Sequence, residues 1–121
     1  MKKILAAALL LTINYYAMAQ DTKIIRIARI TVDSAQLAEY TTLLQEQMQA
    51  AIKAEPGVLS YTVYADKTTP YKLTIVEEYA DNKAYLSHRE TAHFKKYKSA
   101  TINMVKSLEL VEVNPLLAVK K

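Results

Sequence analysis

The sequence predicts an α+β protein with the element order βαββαβ. This is the split βαβ of the ferredoxin-like fold, in which both helices pack on one face of a four-stranded antiparallel sheet. Three observations predict it. Four runs carry the β-branched or alternating pattern of strands, a long segment between the first two repeats apolar residues at helical spacing, and a second helical region separates the third run from the fourth.

A segment of another kind precedes them. Met1-Lys2-Lys3 is a basic start, Ile4 to Ile13 is an apolar run broken only by Thr12, and Ala17-Met18-Ala19 has the small-x-small pattern that signal peptidase reads. Residues 1–19 are therefore expected to be a signal peptide cleaved after Ala19, with residues 20–121 forming a single exported domain, periplasmic or secreted. The run is shorter than the roughly 20 residues of a membrane span, so no stable membrane insertion is expected. Removing Lys2 and Lys3 lowers the formal charge from +4 to +2. With so balanced a domain, Lys95, Lys96 and Lys98 are a solvated helix face, and no nucleic-acid partner is expected.

Lys23 to Val32 is the first strand, with apolar residues on both parities as in a strand covered on both faces. From Ala35 to Ala54, Leu37, Tyr40, Leu44, Met48, Ala51 and Ile52 form one stripe of a helix, and Asp33 with Gln36 makes a capping box. Glu55-Pro56-Gly57 ends that helix, since Pro lacks an N–H and Gly accepts a sharp exit. Val58 to Ala65 and Tyr71 to Tyr79 are two strands joined by Asp66 to Pro70 as a hairpin. Asp81 or Asn82 caps a short helix through His88, and Thr91 caps another with Phe94, Tyr97, Thr101, Met104 and Val105 inward. Leu108 to Val113 alternates as the last strand, stopped by Pro115. The apolar second parity of the strands calls for a cover on the open sheet face. A two-fold partner supplies it most simply, so a homodimer is expected.

Composition removes several chemistries. A single glycine, Gly57, rules out the Gly-rich loops that cradle nucleotide phosphates. The absence of Cys rules out disulfides, thiolate metal sites and a cysteine nucleophile.

The chain resembles the antibiotic biosynthesis monooxygenase family, in its small quinol-monooxygenase-like branch of dimeric α/β-barrel proteins. The residues that carry the resemblance are Glu55-Pro56-Gly57-Val58, Glu77-x-Tyr79-x-Asp81, Ala84-Tyr85-x-x-His88, His93-Phe94-x-x-Tyr97 and Met104-Val105-x-Ser107-Leu108. The resemblance implies oxidation of a small phenolic or quinol substrate with O2 and no cofactor. The alternative is a non-catalytic protein of the same fold, a stress-response protein or one that binds a small hydrophobic ligand.

His88 and His93, the only histidines, are the candidates for proton transfer. On an unbroken helix, five residues place them roughly 140° apart, unlike a zinc-binding pair, so no metal is expected. A break near Thr91 would bring them together. His93 is placed slightly ahead as the ligand-facing group, because Phe94 and Tyr97 beside it supply apolar walls. The competing reading of each is a histidine bonded to backbone at a helix junction.

Glu77 shares its parity with Leu73 and Ile75 and is expected to be less exposed than Glu78. Its partner is expected to be Arg29 or Arg26 across the neighbouring first strand, or else it orients a histidine. Tyr61 and Tyr79, with Phe94, Tyr97 and Met48, are the candidate walls of a cavity for a flat aromatic ligand.

Overall fold

The computed structural model describes residues 23–121, and the expected signal peptide lies outside the described residues. Strand β1 (Ile24–Val32) leads through a 3-10 turn (Ser34–Gln36) into helix α1 (Leu37–Ala54). Then follow β2 (Val58–Ala65), β3 (Lys72–Tyr79), α2 (Asn82–Arg89), α3 (Ala92–Thr101) and β4 (Val105–Val113). The strands form one antiparallel sheet in the order β2-β3-β1-β4. This is the ferredoxin-like α+β fold, with an open sheet that does not close on itself within the chain.

Local chemistry places most of the boundaries. Asp33 accepts from the Ala35 N–H at 3.0 Å and caps the 3-10 turn; the backbone N–H of Gln36, rather than its side chain, returns to the Asp33 carbonyl. The expected capping box is thus replaced by a tighter turn. The Asp81 carboxylate accepts from Ala84 N–H to start α2, and the Thr91 hydroxyl accepts from Phe94 N–H to start α3. Gly57 serves space rather than a special backbone angle: no glycine has positive φ. A Cβ at Gly57 would sit 2.4 Å from the Ala84 Cβ, so its bare backbone lets α2 lie against the start of β2.

Two expectations need correction. α3 ends at Thr101, so Met104 and Val105 leave the helix; Met104 is buried in the following turn and Val105 opens a β4 three residues longer than the alternating run. On α1 the buried positions are Tyr40, Leu44, Gln47 and Ala51, while Ile52 is half exposed. The stripe follows the i, i+4, i+7, i+11 rows, which carry it past Ile52 and onto a glutamine.

The main core lies between the helices and one sheet face, where Ala28, Ile30, Leu73 and Ile75 meet Tyr40, Leu44, Tyr97 and Met104. Tyr40 and Tyr97 share a short hydroxyl–hydroxyl bond inside it. Beside it, Ala51, Val58 and Tyr79 form a second, smaller cluster. On the opposite sheet face Ile27 stands in register between Val76 and Val111, with Ile25 beside Val113. These side chains are only half-buried, and among the described residues no helix covers them.

Candidate functional site

At the β2–β3 end of the helix layer, three side chains converge. Glu55 sits at the C-cap of α1, His88 in the last turn of α2 and His93 in the first turn of α3. The break between α2 and α3 makes the convergence possible. The Thr91 hydroxyl donates to the His88 carbonyl at 2.7 Å while capping α3, and the redirected chain turns His93 back toward His88. One carboxylate oxygen, Glu55 Oε2, then lies 2.9 Å from His88 Nδ1 and 2.6 Å from His93 Nε2.

The bond to Glu55 sets the form of His88. A carboxylate accepts, so Nδ1 carries the proton in the neutral ring and Nε2 holds the lone pair. His88 is 1% exposed, and its Nε2 has no hydrogen-bond partner. Among the described residues one other buried side-chain atom is in that state, Gln47 Oε1, on an amide whose Nε2 donates to the Tyr61 hydroxyl at 3.0 Å. A buried acceptor left bare costs free energy of about 1–3 kcal/mol.

His88 lines a cavity of about 310 Å³ between the helices and the sheet, at the small end of ligand cavities, which run about 300–1,000 Å³. Tyr61, Tyr79, Phe94 and Tyr97 form its aromatic walls, and Glu77 and Arg26 reach it from the sheet. Ring centroids of Phe94, Tyr79 and Tyr61 lie 5.0, 5.5 and 6.1 Å from the imidazole. The Tyr79 hydroxyl donates to Glu77 Oε1 at 2.5 Å. Burial first, and then the charge of Glu77, pushes the Tyr61 and Tyr79 phenols well above the usual tyrosine range. Both therefore remain O–H donors at neutral pH.

Of the expected site residues, His88, Tyr61, Tyr79, Phe94, Tyr97 and Glu77 meet at this cavity. His93, 23% exposed, holds the far side of Glu55 and is not part of the cavity wall. Met48 lines shallow grooves along α1 instead. Arg29 does not pair with Glu77. It stands opposite Thr74 and its guanidinium meets Glu109 at 3.5 Å on the other sheet face, because three residues along a strand reverse the side. Arg26 is the residue opposite Glu77, yet its guanidinium carbon lies 4.3 Å from the Tyr85 ring centroid. Nor does Glu77 orient a histidine; Glu55 does.

Glu55 was legible in sequence only as a helix terminator. One signal was available: a carboxylate at a helix C-terminus faces the unfavourable end of the helix dipole, which marks an acid with another partner. The donor atoms of Glu55, His88 and His93 lie within 4.8 Å of one another, the one such trio among the described residues. At 2.6 and 2.9 Å the contacts are those of hydrogen bonds. A divalent cation bound about 2.0–2.2 Å from each atom would have to replace the shared protons.

The sequence profile of antibiotic biosynthesis monooxygenases matches residues 23–100. A Bacteroides thetaiotaomicron protein named for that family has 42% identity to the chain; the match covers 84% of this chain and 96% of that one, with a TM-score of 0.79. The chain belongs to the antibiotic biosynthesis monooxygenase family. A Caulobacter crescentus structure named for the same family shares the fold at 21% identity and a TM-score of 0.75, covering 86% of this chain and 99% of that one. A Lactobacillus acidophilus structure named for monooxygenases has 27% identity over 77% of this chain and 44% of that one, with a TM-score of 0.75. No curated protein matches. The match to the family profile includes every residue of the Glu55–His88–His93 trio and the aromatic walls, and ends before β4.

Proposed function

We propose that the protein is a cofactor-independent monooxygenase that oxidises a small phenolic or quinol substrate with O2. The observation that carries this reading is the buried, unpartnered Nε2 of His88, a residue that lines an aromatic cavity while Glu55 holds its Nδ1. The base takes the phenolic proton at Nε2, and Glu55 stabilises the imidazolium that results. Glu55 is thus a positioning residue, with His93 holding its other side. The electron-rich phenolate reduces O2 within walls that exclude water. The substrate ring gives up two hydrogens and four electrons; one oxygen atom becomes a new quinone carbonyl and the other leaves as water. Tyr61 donates to the substrate oxygen, since the Tyr79 proton is already given to Glu77.

The same reading has the mature domain exported after cleavage following Ala19 and paired as a homodimer through the uncovered sheet face. Among the described residues no helix is long and apolar enough to cross a membrane. Mass spectrometry of the native protein should find Gln20 as its first residue, and an intact Met1 would remove the export reading. Light scattering should give about twice the monomer mass. A monomer at micromolar concentration would refute the pairing.

The decisive assay is O2 consumption by chelator-treated, flavin-free protein given a panel of phenols and hydroquinones. Uptake faster than autoxidation is expected. A panel that raises the melting temperature without any catalysed uptake would replace the enzyme with a binding protein.

A further inference from the structure

The mouth of the His88 cavity is charged in a way the proton chemistry does not use. Arg26, Arg89 and Lys98 all line the cavity, against one carboxylate, Glu77, already engaged by Tyr79. Arg26 stands in register with Glu77 on β3 and Glu112 on β4, on the two strands that flank it. It pairs with neither. Its guanidinium lies instead over the Tyr85 ring, which the Arg89 guanidinium also reaches, at 5.8 Å from the centroid. Among the described residues, Arg26, Arg89 and Lys98 have no ion-pair partner, whereas Arg29, Lys95, Lys96 and Lys106 each have one.

Stacking on an aromatic face holds a guanidinium in place and leaves its N–H edge free. Two such edges and an ammonium at one opening make a receptor for a planar anion, and the fork of an arginine matches a carboxylate. His88 lines the same space, and its Nε2 is the atom to which the proposed function assigns the proton. Between them run two ring contacts, His88 to Tyr79 at 5.5 Å and Tyr79 to Tyr85 at 5.3 Å. A ligand that satisfies both ends carries a hydroxyl at one side of an aromatic ring and an acid at the other.

We infer that the cavity is built for hydroxylated aromatic carboxylates, with the ring between Tyr79 and Phe94, the hydroxyl at His88 and the carboxylate at Arg26 and Arg89. This rests on the reading of the His88 cavity as the substrate site and narrows its substrate class. Arg26 and Arg89 are then binding and specificity residues.

The test is calorimetric titration of the full domain with 4-hydroxycinnamate and, separately, its methyl ester, at pH 7.5 and low salt. The acid should bind about tenfold or more tightly than the ester, the scale of a lost charge-assisted hydrogen-bond pair. Raising the salt should shrink that preference. In Arg89→Gln, an exposed change, and in Arg26→Gln the preference should fall while ester affinity holds within about twofold. The comparison of the two ligands on the unaltered protein needs no variant. Equal or tighter binding of the ester, no binding of either, or a preference that survives in the double variant overturns the inference. An oxygen electrode run on both ligands separates the two readings. Binding of the acid with no O2 uptake from either ligand or from the wider phenol panel removes the oxygenase and leaves the carboxylate site, while uptake with no preference for the acid does the reverse.

Discussion

The two ends of the helix layer handle buried polar groups in opposite ways. At the main core, the Tyr40 and Tyr97 hydroxyls satisfy each other, and Thr101 donates to the Tyr97 carbonyl at 2.8 Å. Apolar side chains pack around them, and the Tyr97 ring also borders the His88 cavity. At the other end Glu55 binds two histidines through one oxygen, Glu77 takes the Tyr79 hydroxyl, and His88, which lines a cavity, still has a buried nitrogen without a partner. Both regions are rich in tyrosine, so residue type does not distinguish them. What does is whether each polar atom finds its partner within the fold: the closed end is packing, and the unclosed end is a site.

Removing the bare nitrogen should have the largest effect. His88→Ala is expected to lower the turnover of an accepted phenol by about 10² or more, measured as O2 uptake beside a thermal melt of the same sample. Loss of activity only in proportion to lost folded protein would return His88 to a structural role. Glu55→Gln keeps shape and removes the charge that stabilises imidazolium. It should lower kcat by less than His88→Ala with KM and the thermal melt nearly unchanged, a split that a purely structural role would not give.

Next come changes that test packing at each end. Tyr40→Phe strands the buried Tyr97 hydroxyl and should cost about 1–3 kcal/mol in denaturant titration with little change in kcat. Its pH dependence has a defined sign. Burial, and then the neighbouring Tyr97, raises the folded Tyr40 pKa above the ordinary value of 10.0. The stability tied to that proton is full below about pH 10 and is lost as pH rises above it, because only the unfolded phenol ionises there. Tyr40→Phe should flatten that alkaline limb. Gly57→Ala, which forces apart two Cβ atoms that would stand 2.4 Å from each other, should cost about 1–3 kcal/mol. Since α2 carries His88, activity should fall with it. The smallest effect is expected at Met48, which lies off the cavity. Met48→Leu should stay within about 1.5 kcal/mol in stability with kcat unchanged, and a large fall in kcat would extend the site along α1.

The local signals in the sequence were strong. The β-branched runs, the α1 stripe, the Pro-Gly exit and the Asp81 and Thr91 caps placed six elements and the split between α2 and α3, because each depends on neighbours a few residues away. The candidate histidines and aromatic walls were legible as residue types on known elements. Their partners were not. Glu55 is 33 and 38 residues from the histidines it holds, and Arg26 chose Tyr85 over the carboxylates beside it in register. Side-chain direction across packed layers depends on where the helices settle on the sheet, and helical or strand periodicity carries no information about that. Periodicity chose the faces, and tertiary packing chose which atom on each face would be left without a partner.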